Sequence, residues 1–412
     1  MQYGLIGEKL SHSFSKEIHE ALANYTYELC EISKDELASF LAKREFNAIN
    51  VTIPYKKEVI PHLDYVSDAA KELNAVNCVV NLEGKLYGYN TDYFGMRDTI
   101  QKSGISLENK KVLILGTGGT SRTSALVCKD LGAKEIIFVS REEKNGAVTY
   151  ENAHLLHNDA NIIINATPVG MYPDCYSSPL DLSKFNNLCA VFDAVYNPIR
   201  TKIVLDAQKS DIYASGGLLM LVSQAVRAIE MFLDKQIDEG KTEEIYTKIL
   251  KEKENIVLIG MPSSGKTTIG KILADEMNRE FFDLDYEIEK HIGCTIAEFF
   301  KSHTEKDFRD IETQITKEIS KKNGIIISTG GGCILREENV CALRSNGRLY
   351  FLNRSLENLT PTDSRPLATK KEAIEKLYIE RYQLYINASD VEVDGNLTPE
   401  AEAALIREEF LK

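Results

Sequence analysis

NIVLIGMPSSGKT, residues 255–267, is an apolar run that breaks into a glycine-rich turn and leads into a helix-compatible segment. A buried parallel strand feeding a helix has this pattern. Within it, GMPSSGKT (260–267) fits GxxxxGK[ST] in the position the motif requires, behind a strand and ahead of a helix. Gly260 and Gly265 let the backbone curl so that its N–H groups and the helix N-terminus face phosphates. Lys266 supplies a point charge for the β- and γ-phosphates, and the Thr267 hydroxyl stands where it can ligate Mg²⁺. Ser264 and Thr268 complete the candidate nucleotide-binding set.

Two further runs have the same grammar: YGLIG (3–7) and KVLILGTGG (111–119). The fold class is therefore α/β. GTGGTS (116–121) places Gly116, Gly118 and Gly119 where a dinucleotide pyrophosphate could approach, although a GxGG turn alone equally suits a tight strand-to-helix connection. The next strand, EIIFVSR, ends on Ser140 and Arg141 rather than on the acid that binds the ribose hydroxyls of NAD. A guanidinium there suits a 2′-phosphate and favours NADP(H), against the pull of Glu142 and Glu143 just behind it.

At 412 residues the chain calls for two or three cores, and 43% hydrophobic with 27% charged residues is globular composition. A formal charge of -13 argues against nucleic acid or an anionic membrane as partner. The start, MQYGLIGEKLSHS, does not have the pattern of a signal peptide, and no apolar run approaches the length of a membrane span. Eight scattered cysteines without a CxxC pair are expected to be free thiols in a reducing cytoplasm. On a helix His154 and His157 would share a face and could bind a metal, but without a nearby Cys partner a solvated polar pair is favoured.

From Asn255 to the end the chain resembles shikimate kinase. The resemblance rests on FFDLD (281–285), DFRDIE (307–312), STGGG (328–332), SRPL (364–367) and LYIERYQLYINASD (377–390). It implies that Asp283 helps hold hydrated Mg²⁺ and that Asp285 bonds the hydroxyl to be phosphorylated. It further implies that Arg309 and Arg381 bind the substrate carboxylate, that Gly330, Gly331 and Gly332 let the backbone approach the ligand, and that Arg365 neutralises charge on the transferring phosphoryl group. The stretch LNRSLENLTPTDS (352–364) is shorter than usual for the family and lacks its adenine-stacking arginine, for which Arg354 is the candidate replacement.

The first 250 residues resemble shikimate dehydrogenase through SHSFS (11–15), NVTIPYK (50–56), NAVN (74–77), GYNTDYFG (88–95), NATPVGM (165–171), DAVYNP (193–198) and GGLLMLVSQ (216–224). This implies that Ser13 and Ser15 bind the substrate carboxylate, and that Thr52, Asn77, Tyr196 and Gln224 contact its hydroxyls and carboxylate. Thr167 and Gly217 are then cofactor-binding positions. Lys56 and Asp92 form the implied catalytic pair, because hydride addition to a ketone leaves an oxyanion that needs a proton. Departures from the family pattern, Lys16 where a proline usually follows the second serine and Asn74-Ala-Val-Asn77-Cys78 where GAVNT is usual, bear on substrate preference, including toward quinate.

The expected architecture is a two-lobed dehydrogenase followed by a P-loop kinase domain with a parallel sheet. The substrate lobe is expected at 1–100 with helices from 218–250, a Rossmann-like NADP lobe at 101–217, and the kinase domain at 255–412. The charged stretch 234–255 is the boundary, with Ile245, Ile249 and Leu250 facing inward from a helix. Expected substrates are 3-dehydroshikimate and shikimate, with NADP(H), ATP and Mg²⁺, in the cytoplasm. The alternatives are a quinate/shikimate dehydrogenase fused to a kinase, or one unit kept as a non-catalytic nucleotide-binding module. Oligomeric state is open.

Overall fold

The computed structural model describes residues 1–10, 14–144, 146–360 and 371–412. The chain forms two compact units, one of Met1–Asn197 with Ile203–Ile249, the other of Pro198–Lys202 with Leu250–Lys412. Among the described residues no helix is long and apolar enough to cross a membrane.

The first unit holds two six-stranded sheets. One comprises β1 (Tyr3–Gly7), β2 (Tyr27–Glu31), β3 (Ala48–Val51), β4 (Tyr65–Val66), β5 (Cys78–Leu82) and β6 (Lys85–Tyr89), in the order β2-β1-β3-β5-β6-β4. It is mixed, since β5 runs antiparallel to both β3 and β6. The β5–β6 hairpin turns through Glu83 and Gly84, both at positive φ, where glycine carries no steric penalty. The second sheet comprises β7 (Lys111–Leu115), β8 (Glu135–Ser140), β9 (Val148–Thr149), β10 (Ile162–Asn165), β11 (Ala190–Asp193) and β12 (Tyr213–Ser215), in the order β12-β11-β10-β7-β8-β9. Every pairing in it is parallel. Strands β10 and β11 are buried along their whole length, as the runs III and AVF require when helices cover both faces.

Helix Leu218–Leu233 ties these two sheets together. Met220, near its start, joins the core over β7 and β10, whereas Ala228 and Phe232, two and three turns later, join the core over β1 and β5. Gln224 falls midway on the same four-residue spacing. Helix Asp92–Lys102 packs beside it, and Gly95 makes the approach possible: a β-carbon there would lie 2.5 Å from the Met220 carbonyl oxygen and 3.0 Å from Gln224 Cβ.

The second unit is a five-stranded parallel sheet of β13 (Asn255–Ile259), β14 (Phe281–Asp283), β15 (Ile326–Ser328), β16 (Gly347–Asn353) and β17 (Val391–Asp394), ordered β14-β15-β13-β16-β17. Alternate residues of its central strands serve opposite layers. Val257, Ile259, Leu349 and Phe351 enter one core, and Ile256, Leu258, Tyr350 and Leu352 enter the other. Such a doubly covered sheet leaves the C-terminal ends of its strands open for ligands.

Candidate active sites

In the first unit, Ser15, Thr52, Lys56, Asn77, Asp92, Tyr196, Gly217 and Gln224 line one cleft of about 380 Å³. Their positions follow from the fold. Thr52 and Lys56 lie on the connection leaving β3; Gly7, at the end of β1, makes room for Thr52, whose Cγ2 would lie 2.7 Å from a β-carbon at that position. Asp92 opens the helix that follows β6. Gly217 must be glycine, because a β-carbon would stand 2.3 Å from the Ala194 carbonyl oxygen. Tyr196 packs its ring 5.4 Å from that of Phe14, and burial raises its phenol pKa. Ser13 lies outside the described residues.

Lys56 Nζ donates to Asp92 Oδ2 at 2.5 Å, and both side chains are largely but not wholly covered. The other carboxylate oxygen, Oδ1, accepts from Asn77 Nδ2 at 2.9 Å. Asn77 is itself locked. Its Oδ1 accepts from the Thr91 backbone N–H at 2.7 Å, and its Nδ2 also reaches Thr91 Oγ1 at 3.1 Å. Both Asn77 amide protons thus have acceptors inside the protein, one of them the Asp92 carboxylate, while Asn77 still lines the cleft. Thr91 Oγ1 donates to Gln224 Oε1 at 3.1 Å, and Gln224 Nε2 donates to the Leu221 carbonyl at 3.0 Å. One Gln224 N–H remains for the cleft.

The dinucleotide-type turn sits beside this cleft and reaches it through Thr120, which is one of the lining residues. Gly116 follows β7 at φ +101°, a conformation that L side chains rarely adopt. Around Gly118 and Gly119 a β-carbon would meet nothing within 4 Å, so the helix start at Gly119 presents open backbone. Ser140 ends β8, and its hydroxyl donates to the Glu142 carbonyl. Arg141 is exposed, while Glu143 is engaged by Asn152 Nδ2 at 2.8 Å. Thr167 is fixed by Asn165 Oδ1, which accepts from its N–H at 3.1 Å and its hydroxyl at 2.6 Å.

In the second unit the phosphate loop joins β13 to helix Lys266–Met277, with Gly260, Ser263 and Gly265 at positive φ. Lys266 Nζ donates to the carbonyls of Gly260 (2.9 Å) and Met261 (2.8 Å) and lies 3.4 Å from Ser264 Oγ. Thr268 is exposed on the first turn of the helix. Thr267 Oγ1 donates to Asp283 Oδ2 at 2.6 Å. Asp283 also caps the next helix, its Oδ1 accepting from the Asp285 N–H at 3.1 Å. A hydroxyl and a carboxylate in contact at the loop are the hard oxygen donors that Mg²⁺ takes alongside substrate phosphates. Among the described residues no group of three or more His, Cys, Asp or Glu side chains is placed to hold a metal; His154 lies in helix Tyr150–Leu156 and His157 just past its end, so the two do not share a helix face.

The three glycines after β15 are shaped by their neighbours. A β-carbon at Gly330 would lie 2.5 Å from Asp285 Oδ1, one at Gly331 2.8 Å from Pro262 Cδ, and one at Gly332 2.3 Å from Arg309 Nη2. The strand end, the phosphate loop, Asp285 and Arg309 therefore meet at backbone contact. Arg309 is paired with Glu312 (2.8 Å) and Glu305 (3.2 Å). Burial raises the Glu312 pKa, and the Arg309 charge opposes the shift. Arg381 Nη1 and the Tyr385 hydroxyl both donate to the Gly331 carbonyl, at 3.0 and 2.5 Å. Arg365 lies outside the described residues.

Sequence reasoning missed Thr91, Asn50, Glu312 and Tyr385. All four lie inside quoted motifs; Thr91, Asn50 and Tyr385 act through partners 14 to 133 positions away, whereas Glu312 pairs with Arg309 three positions before it. Asn50 lines the cleft and donates from Nδ2 to the Asn77 carbonyl at 3.2 Å.

A lysine–aspartate pair beside a dinucleotide-type sheet defines an oxidoreductase cleft, and the loop of the second unit defines a phosphotransferase. Residues 5–79 match the shikimate dehydrogenase substrate binding domain, and residues 262–411 match shikimate kinase. The NADP(+) shikimate dehydrogenase of Clostridium beijerinckii is 36% identical over 262 residues, covering 60% of this chain and 96% of the relative. That of Clostridium perfringens strain 13 is 34% identical, covering 60% and 97%. Among solved structures, a chorismate mutase/shikimate 5-dehydrogenase fusion protein from Clostridium acetobutylicum aligns with a TM-score of 0.58 at 34% identity, covering 61% of this chain and 97% of that one. The Thermus thermophilus shikimate 5-dehydrogenase in complex with NADP(H) and shikimate aligns with a TM-score of 0.54 at 28% identity, covering 60% and 99%. The chain belongs to the shikimate dehydrogenase family and carries a shikimate kinase domain behind it, which makes it a bifunctional shikimate-pathway enzyme.

Proposed function

We propose that this chain reduces 3-dehydroshikimate to shikimate with NADPH and then phosphorylates shikimate at its 3-hydroxyl with ATP and Mg²⁺, in the cytoplasm. The observation that carries the first step is the Lys56–Asp92 contact at 2.5 Å inside the cleft. NADPH supplies a hydride to the carbonyl carbon. The carbonyl electron pair moves onto oxygen, and Lys56 Nζ delivers the proton that completes the hydroxyl. Asp92 orients the ammonium, and Asn77 orients Asp92 through Oδ1. Ser13, Ser15, Thr52, Tyr196 and Gln224 hold the carboxylate and the remaining hydroxyls. Arg141 reads the 2′-phosphate, a role supported by its exposure and by the engagement of Glu143 elsewhere.

For the second step, Asp285 bonds the hydroxyl of shikimate, Arg309 and Arg381 take its carboxylate, and Lys266 and Arg365 balance charge on the phosphates. Thr267 and Asp283 are the residues that would hold Mg²⁺. The test is to assay the two half-reactions separately, following NADPH absorbance with 3-dehydroshikimate and ADP release with shikimate. Both are expected to proceed; a chain that turns over neither substrate contradicts the proposal.

A further inference from the structure

The end of β16 brings an arginine to the phosphate loop. Strands β13 and β16 pair in parallel from Asn255↔Gly347 to Ile259↔Phe351, so the loop after β13 and the residues after β16 emerge side by side. Arg354 is the first residue past β16, and its Nη1 lies 3.8 Å from where a β-carbon of Gly265 would be. Its Nε donates to the Asn358 carbonyl at 3.1 Å. Among the described residues its two Nη groups make no hydrogen bond or ion pair.

The backbone under this guanidinium is held from the β17 side. Asn396 Oδ1 accepts from the Ser355 N–H (3.0 Å), the Ser355 hydroxyl (2.8 Å) and Asn358 Nδ2 (2.9 Å). Gly395 packs so closely that a β-carbon would lie 2.9 Å from the Arg354 nitrogen. Glu402 is buried nearby, and Arg354 is the cation that acts on its carboxyl. An arginine anchored through Nε keeps a planar face and a charged edge available, and being held in place it loses little freedom on binding a polyanion.

We propose that Arg354 is a nucleotide-binding residue, gripping ATP from the β16 side of the phosphate loop, and that Asn396 is the positioning residue that holds it there. This rests on the kinase reading of the second unit. The test titrates ATP into the full chain at saturating NADP⁺, which fills the dinucleotide site, and compares Arg354→Ala, Arg354→Lys and Asn396→Ala by calorimetry. Arg354→Ala is expected to weaken ATP binding at least tenfold and Asn396→Ala several-fold, with the KM for shikimate unchanged. Lysine cannot bond Asn358 and face the nucleotide at once, so it is expected to restore only part of the affinity. Thermal unfolding of each variant separates misfolding from lost binding. Arg354→Ala binding ATP within twofold of the parent overturns the proposal. A parent chain that binds ATP but never phosphorylates shikimate contradicts the kinase reading and leaves the binding role of Arg354 in place.

Discussion

Lys56 Nζ and Asp92 Oδ2 lie 2.5 Å apart although 36 residues separate them, one on the exit of β3 and the other on the first turn of the helix after β6. The antiparallel pairing of β5 with both β3 and β6 folds the intervening chain back, so that the two connections meet at one end of the sheet. The contact places a proton donor and its carboxylate partner in the cleft at fixed distance. Lys56→Ala is expected to lower kcat for reduction by about 10²- to 10⁴-fold, with a smaller change in KM. Steady-state kinetics with 3-dehydroshikimate and NADPH checks this, and an unchanged kcat removes Lys56 from the chemistry.

Arg141 bears on the choice of dinucleotide. Its replacement by alanine is expected to raise the KM for NADPH by the equivalent of about 1 to 3 kcal/mol of lost charge-assisted bonding, with little change for NADH. Parallel KM measurements with the two cofactors decide it. Equal losses with both show that Arg141 does not read the 2′-phosphate.

Gly217 stands where a methyl group has no room, with the Ala194 carbonyl oxygen 2.3 Å from the β-carbon position. Gly217→Ala must therefore push the start of helix Leu218–Leu233 away from the strand end at Asp193. Because Gln224 rides on that helix, the KM for 3-dehydroshikimate is expected to rise at least tenfold while phosphorylation of added shikimate persists. A variant with parental KM shows that the helix start shifts without moving Gln224.

His19 is wholly buried, with Nδ1 2.7 Å from the Tyr25 hydroxyl and its ring stacked on Tyr27 at 4.0 Å. Burial lowers its pKa from about 6.5 to about 3. Between those values the unfolded chain takes up a proton that the native chain refuses, so stability is full above about pH 6.5 and falls as pH drops toward 3. The loss between pH 7 and pH 5 is on the order of 2 kcal/mol for this group. In His19→Gln that component vanishes, and the difference in thermal midpoint between parent and variant is expected to shrink on acidification. A constant difference across pH 5 to 8 contradicts the buried neutral imidazole.

Much of the architecture is local and was therefore legible in the sequence. An apolar run, a glycine that must curl and a following helix lie within a dozen residues, so β1, β7 and β13 could be read directly. The mixed character of the first sheet was not, because the Leu82–Lys85 turn states a hairpin but not which strand it joins. The site residues divide the same way. Lys266 and Thr267 are fixed by their own motif, whereas Lys56 and Asp92 pair only through the sheet. Thr91 had no legible role at all, since its hydroxyl acts on Gln224 across 133 positions. Arg354 could be named as a candidate, but its closeness to Gly265 depends on the register of β13 with β16.

The central claim is that one chain carries two complete and separate catalytic sites acting in succession on the same molecule. The measurement that tests it supplies 3-dehydroshikimate, NADPH, ATP and Mg²⁺ to Lys56→Ala, to Lys266→Ala and to an equal mixture of the two, and quantifies shikimate and its 3-phosphate by mass spectrometry. Lys56→Ala alone is expected to make neither product but to phosphorylate added shikimate, Lys266→Ala alone to stop at shikimate, and the mixture to restore the 3-phosphate through shikimate released into solution. If either variant, still folded, loses both activities, or if the mixture of two half-active variants yields no 3-phosphate, the account of two independent sites is contradicted.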